Sequence, residues 1–334
     1  MVLERGAAAR VDASGAGKRK ATVSVIGAGR LGTALAAALA RRGYLIEAVV
    51  TRRRAHALRA ARSTGTNPRA LTVGELAQLP PSDILLITTP DDAISATAAR
   101  LAETIRTAQR GRTALHASGA LSSSALGALG GAGFATGSMH PLVSVSGRSG
   151  NAPESFRAAY FCVEGDARAL RVARALVRDL EGRSFSIDRG KKALYHAAAV
   201  MASGHMVALF ELAAGLLARC GLTEAGAQRV LLPLVRSTVE NLSTLEPARA
   251  LTGTFARADA ATVRRHLSAL GSSDAQDALA LYRLLGLRSL GLAAQAGANP
   301  AALEEIAGLL ESIEGKPGER GQAKRGGKRP RGRD

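Results

Sequence analysis

The chain has 334 residues, a hydrophobic content of 46% and a formal net charge of +18. This length suffices for two domains, and an aromatic content of 3% without tryptophan requires an aliphatic core. About half of the positive charge lies in residues 1–20 and 315–334, two Gly-, Arg- and Lys-rich tails that cannot bury a core and are predicted to be disordered. This distribution argues against nucleic acid as the main partner.

No apolar run reaches the roughly 18 residues that a membrane helix needs, and no apolar stretch precedes Val23. We therefore expect no membrane span, no signal peptide and a cytoplasmic location. Cys162 and Cys220 are interpreted as isolated buried thiols rather than a disulfide framework or a metal site. Four histidines lack a local metal-ligand spacing, so no metal is predicted, and they are His116, His140, His196 and His205.

Strands alternate with helices in the first part of the chain. The predicted strands are Ala21–Gly27, Tyr44–Val50, Asp83–Thr88, Thr113–Ala117, Phe134–Ser138, Ala159–Val163 and Ser184–Ile187. The predicted helices between them are Leu31–Arg42, Ala93–Arg106 and Ala167–Leu180. The continuous apolar run DILLIT of Asp83–Thr88 is typical of a parallel strand that is covered on both faces. The alternation predicts an α/β fold, a Rossmann doubly wound parallel sheet over residues 21–189.

Only helices are predicted after Asp188, forming an all-helical domain over residues 190–314. They are Lys191–Cys220, Glu224–Leu242, Ala260–Leu270, Ser273–Ala296 and Pro300–Ile313. The helix Lys191–Cys220 is apolar on nearly every side, and a helix that is hydrophobic all round must be buried. One small helical domain cannot surround it, so we predict a homodimer through the helical domain.

A glycine pattern follows the first predicted strand and opens the first helix. The residues Gly27-Ala28-Gly29-Arg30-Leu31-Gly32 match Gly-x-Gly-x-x-Gly in the context that indicates dinucleotide binding. Gly27 permits the tight turn, Gly29 lets the backbone approach the pyrophosphate, and Gly32 lets the helix pack on the strand. The amino end of the helix offers N–H groups to the phosphates. The alternative is a glycine turn in an α/β protein that binds another ligand.

The end of the second strand distinguishes NAD from NADP. An NAD site usually has Asp or Glu there, about 20 residues beyond the glycines, to bind the ribose hydroxyls. This chain has Thr51, Arg52, Arg53 and Arg54, and no acid that would repel a 2′-phosphate. Arginine binds a phosphate through a planar fork of donors, so we predict NADP. The alternative is a solvated basic start of a helix.

Several motifs carry a resemblance to known families. The run TTPDDAI (Thr88–Ile94), which adds Thr89 and Pro90 to the candidate cofactor site, looks like the β-hydroxyacid dehydrogenase and pyrroline-carboxylate reductase superfamily. Four further runs resemble Rossmann-like proteins that carry domain-of-unknown-function family 2520 at the C-terminus. These are LHASGAL (Leu115–Leu121), SMHPL (Ser138–Leu142), KALYHAAAVMASGHMVAL (Lys192–Leu209) and LTGTFARADAATVRRHLSAL (Leu251–Leu270).

The resemblance covers residues 21–313 and implies a Rossmann domain followed by a helical dimerisation domain like that of 6-phosphogluconate dehydrogenase. It does not supply a substrate. Three residues depart from the family pattern: Gly204 stands in place of Asn, Thr254 in place of Pro, and Ala258 in place of Gly.

Two residues of the helix Lys191–Cys220 are candidates for chemistry. Lys192 and His196 are four residues apart and so share a face, and Ser203 continues the same stripe as a candidate substrate residue. In the hydroxyacid dehydrogenases this helix carries Lys and Asn four apart, which implies that His196 replaces Asn. Lys192 could protonate a carbonyl or an imine, or hold a substrate carboxylate, and His196 could be the acid–base group. The alternative is a solvated lysine and a packed histidine.

Further candidates follow strands or lie between helices. Ser118 and Gly119 follow the strand Thr113–Ala117 at the edge where ligands bind, and could contact nicotinamide or substrate unless they form only a turn. His140 follows the next strand, where it lines the same cleft or belongs to a structural loop. Arg257 and Asp259 could bind an anionic substrate, or could form an ion pair within their loop.

These residues predict an NADP-dependent oxidoreductase that transfers hydride to or from a small carbonyl, imine or hydroxy-acid compound. One alternative is a reductase that exchanges hydride between NADP and a deazaflavin coenzyme. Another is a non-catalytic NADP-binding sensor or scaffold.

Overall fold

The computed structural model describes residues 19–105, 110–145 and 154–312. Most of both predicted tails, and the predicted helix ends at Arg106 and Ile313, lie outside the described residues. The chain divides between Met206 and Val207 into two compact units, here called the sheet unit and the helical unit. The predicted domain limits, 21–189 and 190–314, stay a prediction.

The sheet unit contains an eight-stranded sheet. Its strands are β1 (Thr22–Ile26), β2 (Leu45–Thr51), β3 (Arg69–Thr72), β4 (Ile84–Ile87), β5 (Thr113–His116), β6 (Ala135–Pro141), β7 (Tyr160–Gly165) and β8 (Arg183–Phe185). They lie in the order β3-β2-β1-β4-β5-β6-β7-β8, and every neighbouring pair is parallel except β6 and β7. The predicted Rossmann sheet is therefore confirmed, with one antiparallel pair added.

Six helices accompany this sheet. They are α1 (Arg30–Arg41), α2 (Arg54–Thr64), α3 (Asp91–Thr104), α4 (Gly127–Gly131), α5 (Ala167–Asp179) and α6 (Lys192–Ala202). The central strand β4 explains why DILLIT lacks alternation: Leu86 packs in the core on one face of the sheet, whereas Leu85 and Ile87 pack in the core on the other. The core is mainly aliphatic, as the composition requires, although Phe156 and Phe161 are its largest fully buried side chains.

Two strands differ from the prediction. Strand β3 was not predicted because, of its four residues, only Leu71 is buried, which is too little for a periodic signal. Strand β6 runs to Pro141 instead of ending at Ser138. Its last residues pair with the antiparallel β7, with His140 opposite Cys162, so His140 belongs to the strand end and not to a loop.

Seven helices follow along the chain. They are α7 (Gly204–Arg219), α8 (Glu224–Thr244), α9 (Pro247–Ala250), α10 (Gly253–Ala256), α11 (Ala260–Gly271), α12 (Gln276–Gln295) and α13 (Pro300–Glu311). The predicted all-helical C-terminal part is confirmed, and α9 and α10 are short helices that the sequence did not reveal. Its buried apolar cluster consists of Val263, Leu290, Ile306 and Leu310.

The predicted single helix Lys191–Cys220 is wrong. The backbone leaves the helical region at Ser203, where φ is −125° and ψ is −73°, and α7 begins at Gly204. Gly204, which stands in place of Asn in the family pattern, directly follows this break. Glycine is a weak helix former, which favours an interruption of the helix here. The stripe from Lys192 therefore ends with α6. The expected burial of both thiols is also half wrong, because Cys162 is buried and Cys220, just beyond α7, is exposed.

One stretch of 31 residues, Arg189–Arg219, is long and apolar enough to cross a membrane by length and composition alone. The expectation that no such run exists is therefore wrong. Histidine, serine and glycine interrupt the apolar residues between Lys192 and Glu211 without adding an Asp, Glu, Lys or Arg, which hid the length of the run. Only 6% of its most apolar window is buried within the chain.

Candidate active site

The loop between β1 and α1 needs two of its glycines for the packing of the protein itself. Gly27 has φ of 94°, and a Cβ there would lie 2.6 Å from the backbone nitrogen of Thr89. A Cβ on Gly32 would collide with Thr88 Oγ1 and lie 2.9 Å from the Gly27 carbonyl oxygen. These two positions thus fix the strand–turn–helix geometry.

Gly29 is different, because the protein leaves room for a side chain there. A Cβ on Gly29 would meet only the Gly27 carbonyl oxygen, at an ordinary 3.8 Å. Gly29 is also the N-cap residue of α1, which has no side-chain cap and no acid in its first turn. The free N–H groups at this helix end and the open approach to them suit an anion such as a pyrophosphate.

The end of β2 lies beside this loop. The backbone nitrogens of Gly27 and Ala28 both donate to the Val50 carbonyl, at 2.8 and 3.1 Å. The next residue, Thr51, donates its hydroxyl to the Arg53 carbonyl at 2.7 Å and so shapes the turn into α2. The predicted ribose position therefore adjoins the glycine loop.

The arginines at this position are not equivalent. Arg54 bonds Glu75 and the Ala70 carbonyl, so it serves the local fold. Arg52 and Arg53 are exposed and form no ion pair with any residue in the described ranges, and the same holds for Arg30 on α1. Three guanidinium groups are thus free to bind an anionic ligand.

The loop after β4 contains an unsatisfied polar atom. Thr89 Oγ1 is buried without a hydrogen-bond partner in the described part of the chain, whereas buried hydroxyls normally have one. The backbone nitrogen of Thr89 is the atom that a Cβ on Gly27 would approach most closely. Pro90 is the residue that precedes α3. The orphaned hydroxyl, the uncapped helix end and the unpaired arginines together fit a bound dinucleotide.

Ser118 links the loop after β5 to the loop after β4. Its hydroxyl donates to Asp91 Oδ2 at 2.8 Å and accepts the backbone N–H groups of Ala120 and Leu121, at 3.1 and 3.0 Å. The hydroxyl therefore uses its hydrogen-bonding capacity within the protein and builds a turn. The carbonyl oxygen of Ser118 has a separate role, because it accepts a hydrogen bond from Lys192.

Lys192 is buried, with 1% of its surface exposed, so it is not a solvated lysine at a helix start. Its Nζ donates to the Ser118 carbonyl at 3.2 Å and to Ser138 Oγ at 3.1 Å, and it forms no ion pair with a described carboxylate. Burial lowers its pKa, and nearby Cys162, Glu164 and Asp91 only partly oppose this. The ammonium thus lies between the loop that follows β5 and the middle of β6.

Two imidazoles and a tyrosine lie next to Lys192. His140 Nδ1 is 2.7 Å from Tyr195 Oη, and the His140 ring meets those of Tyr195 and His196 edge-on at 5.6 Å each. Burial, followed by the charges of Lys192 and His196, lowers the pKa of His140 to about 4. A Cβ on Gly119 would lie 2.9 Å from His140 Nε2 and would collide with His196. The close packing of these two rings explains why residue 119 is glycine.

Tyr195 is a candidate that the sequence interpretation missed. It lies three residues after Lys192 on α6, so helical spacing places it on the same face, but its partners come from distant strands. They are His140 on β6 and Cys162, which is opposite His140 in the β6–β7 register. Burial, followed by the Cys162 thiol, raises the pKa of Tyr195.

His116 is structural. Its side chain is fully buried, its Nε2 bonds the Ser122 carbonyl at 3.0 Å, and its Nδ1 accepts the Ser118 N–H at 3.2 Å. Burial lowers its pKa to about 4. Both ring nitrogens are therefore committed to holding the loop after β5 in place.

A cavity of about 470 Å³ reaches Lys192. Its lining includes Ser95, Leu121, Ser124, Arg189, Lys192 and Ala193. Arg189 is held by Glu164 at 2.8 Å, and Glu164 also accepts two hydrogen bonds from Ser123. Burial would raise the pKa of Glu164, but these hydrogen bonds lower it. The volume suits a small organic molecule.

The three predicted substrate residues are placed differently. Ser203 is exposed at the end of α6, while Arg257 and Asp259 belong to the helical unit. The Asp259 carboxylate caps α11 by accepting the Thr262 N–H at 2.9 Å and its hydroxyl at 2.7 Å, which lowers the pKa of Asp259. Arg257 is exposed and forms no ion pair with Asp259, so the ion-pair alternative is wrong.

Among the described residues, no group of His, Cys, Asp or Glu is arranged to hold a metal ion.

The strand order, the glycine loop and the helical C-terminal part define a Rossmann protein of the dinucleotide-binding type. Family models agree with this class: residues 9–141 match the Rossmann-like domain, and residues 159–289 match the domain of unknown function (DUF2520). Together these matches span most of the chain. They confirm the resemblance to Rossmann-like proteins that carry this domain at the C-terminus.

Solved structures share this two-part fold. One, from Bacteroides fragilis and described as an NADP oxidoreductase, has 26% identity and a TM-score of 0.65, covering 81% of this chain and 98% of its own. A protein from Thermotoga maritima has 22% identity and a TM-score of 0.64, covering 82% and 99%. Plasmodium falciparum pyrroline carboxylate reductase with NADP bound has 12% identity and a TM-score of 0.51, covering 88% and 99%. No curated protein matches the sequence.

Proposed function

We propose that this protein is an NADP-dependent oxidoreductase that transfers hydride to or from a small carbonyl, imine or hydroxy-acid compound. The observation that carries the proposal is Lys192, a buried ammonium without a carboxylate partner. Burying an unpaired charge costs several kcal/mol, and perturbed, desolvated groups in a cleft are typical of functional sites. Hydrogen bonds link Lys192 through Ser118 to Asp91 on α3, which directly follows the loop that packs on Gly27.

The cofactor is proposed to bind along the glycine loop. The α1 amino end and Gly29 receive the pyrophosphate, while Arg52 and Arg53 bind a 2′-phosphate. Thr89 Oγ1 gains a partner from the cofactor, and the Gly119 amide contacts the nicotinamide. The nicotinamide supplies the hydride chemistry when it is bound. The description of the Bacteroides fragilis neighbour as an NADP oxidoreductase supports this choice of cofactor.

The remaining residues are proposed to bind and protonate the substrate. Lys192 is held by Ser138 and the Ser118 carbonyl, and its lowered pKa makes its ammonium a stronger acid toward a substrate oxygen or nitrogen. His140 and His196 form the adjacent wall, and His196 is the second acid–base group. Ser203 stays a proposed substrate residue beside them. Arg257 of the helical unit stays a proposed anion-binding residue, with Asp259 capping the helix that follows its loop.

The proposal includes a homodimer in the cytoplasm, formed through the helical unit. Large apolar side chains of this unit remain exposed in the single chain, among them Val207 at 66%, Val230 at 60% and Leu234 at 63%. Large apolar side chains exposed in this number on a few helices fit an interface between subunits. A second copy offers the same helices in return, as closed two-fold symmetry requires.

Turnover of a compound library with NADPH tests the function, using small carbonyl compounds, imines and hydroxy acids. Lys192→Met should lower turnover by roughly a hundredfold or more because the proton donor is lost, while calorimetry should show unchanged NADPH affinity. Lys191→Met, which alters the exposed neighbour, is the matched control and should keep full turnover. Full turnover by the Lys192 variant would overturn the proposed role, and NADPH binding without turnover of any compound would favour the sensor alternative.

A further inference from the structure

We propose that Tyr195 is a positioning residue that fixes His140 as a neutral imidazole with its proton on Nε2, so that His140 offers a hydrogen-bond donor beside Gly119 to an oxygen atom of the substrate. The part concerning the substrate rests on the proposed function. The part concerning the proton position does not, because it follows from contacts within the sheet unit alone.

The proton position follows from the hydrogen-bond partners of Tyr195. Its hydroxyl has one proton and two neighbours that can accept it, His140 Nδ1 at 2.7 Å and the Cys162 sulfur. An imidazole nitrogen is a good acceptor, whereas a thiol sulfur is a weak one. Tyr195 therefore donates to His140 Nδ1. A neutral imidazole that accepts at Nδ1 carries its proton on Nε2.

The Nε2 atom packs beside Gly119, where a side chain would collide with the His140 and His196 rings. A Cβ on Gly119 would lie 2.9 Å from Nε2, and no described residue accepts a hydrogen bond from Nε2. His140 is only partly buried, so a ligand can reach this donor and supply the acceptor that the described residues do not. The missing acceptor is the atom that we assign to the substrate.

The groups around His140 keep it neutral. Those that face it are Lys192, Tyr195 and His196 from α6, Cys162 from β7, His116 from β5 and Asp91 from α3. An imidazolium there would meet the Lys192 ammonium within the same buried site, and only Asp91 carries an opposing charge. His140 thus keeps its proton during the reaction, and the proton that reaches the substrate comes from Lys192.

This arrangement narrows the substrate class. A neutral N–H donor stabilises an atom with a free lone pair, and more strongly when that atom gains negative charge. The oxygen of a carbonyl or of a hydroxy acid meets this requirement. A protonated imine does not, since its nitrogen has no lone pair to accept the hydrogen bond. We therefore assign the site to a carbonyl and alcohol pair of compounds.

Nitrogen NMR of the full chain labelled with ¹⁵N-histidine tests the proton position without a substrate. In the wild type at neutral pH, His140 should show a protonated Nε2 and an unprotonated Nδ1, and it should remain neutral well below pH 6. Tyr195→Phe should mix the two tautomers and shift both nitrogens. A proton on Nδ1, a doubly protonated ring at neutral pH, or no change in the Tyr195 variant would overturn the proposal.

The chain offers a matched control for this measurement. His266 and Tyr282 of the helical unit form the same pair, with Nδ1 and Oη 2.8 Å apart and the rings edge-on at 5.7 Å. Tyr282→Phe should therefore shift the His266 signals and leave those of His140 unchanged. The Tyr195 variant should do the reverse, which excludes a general effect of removing a tyrosine hydroxyl.

Turnover then tests the substrate part. His140→Ala should lower kcat by roughly a hundredfold, and His140→Gln, which keeps a donor near the Nε2 position, should recover part of this loss. Tyr195→Phe should lower kcat roughly tenfold with an unchanged KM for NADPH. An unchanged kcat in the Tyr195 variant, or equal activity of the two His140 variants, would overturn the catalytic role. A wild type without any turnover would sink the proposed function while leaving the NMR result intact.

Discussion

The sheet unit and the helical unit differ in how completely they bury their apolar side chains. In the sheet unit, helices and the neighbouring strands bury the aliphatic residues on both faces of the sheet, and most buried polar groups have partners. In the helical unit, the buried apolar cluster contains only Val263, Leu290, Ile306 and Leu310. Large side chains of its long helices remain at the surface, among them Leu234 and Leu284 at 63% and 66% exposure.

This difference separates two kinds of unsatisfied group. The polar exceptions in the sheet unit are Thr89 Oγ1 and the Lys192 ammonium, which lie at one edge of the sheet, although α6 also exposes Leu194 and Met201. A small ligand can satisfy groups of that kind. The exceptions in the helical unit are mainly large apolar side chains, which a small ligand cannot cover, together with the buried Arg283 Nε, which also lacks a partner in the described part of the chain. Hence we assign the cofactor to the first unit and the second subunit to the other.

The strongest test of this comparison is a charge on the exposed apolar surface. Leu234→Glu should convert the dimer to monomers or aggregates, because placing a carboxylate in a dry interface costs several kcal/mol. Light scattering coupled to size exclusion measures the mass. Arg236→Glu adds an acid to the same helix at an exposed polar position, and should leave the dimer intact. A wild type that is monomeric at high micromolar concentration would refute the dimer directly.

The next effect concerns pH and belongs to the sheet unit. The folded pKa of His116 is about 4, below its ordinary value of 6.5, so between these values the unfolded chain binds more protons. Stability is therefore fully present above about pH 6.5 and is lost as the pH falls toward 4, by up to roughly 3 kcal/mol for this residue. Urea unfolding at several pH values measures the loss. His116→Gln should flatten the profile, and parallel profiles for variant and wild type would contradict this prediction.

A smaller effect is expected at the ribose position. Replacing both Arg52 and Arg53 by Ala should weaken NADPH binding by roughly tenfold to a hundredfold, because two charge-assisted contacts to the 2′-phosphate are lost. NADH binding should be unaffected. Arg54→Ala is the control for local folding, since Arg54 bonds Glu75 rather than a ligand. Equal affinity of the wild type for the two cofactors in a calorimetric titration would rule out the preference.

The smallest effect concerns the helical unit. Asp259→Ala removes the cap of α11 and should destabilise the protein by about 1 kcal/mol, seen as a lower midpoint of urea unfolding. Asp259→Asn keeps a capping side chain and should recover most of that loss. NADPH affinity should not change in either variant. A fall in NADPH affinity would show that Asp259 does more than cap a helix.

The sequence predicted what depends on neighbours along the chain. The glycine pattern predicted the turn between β1 and α1, and helical spacing placed Lys192 and His196 on one face. What it missed depends on distant partners. Burial of Lys192 requires Ser138 on another strand, and the role suggested for Tyr195 requires His140, 55 residues away. Helical spacing alone also concealed the break at Ser203, because periodicity continues across a change of backbone direction.

That break has an evolutionary consequence. Helix α6 ends at Ala202 and α7 begins at Gly204. Lys192 and every residue proposed to bind the cofactor therefore precede Ser203 in the sequence. The proposed substrate residue Arg257 is encoded after it. A recombination event at this one place would join an unchanged nucleotide-binding unit to a new helical unit. On the proposed function, such an event would change the subunit interface while the glycine loop and Lys192 stay the same.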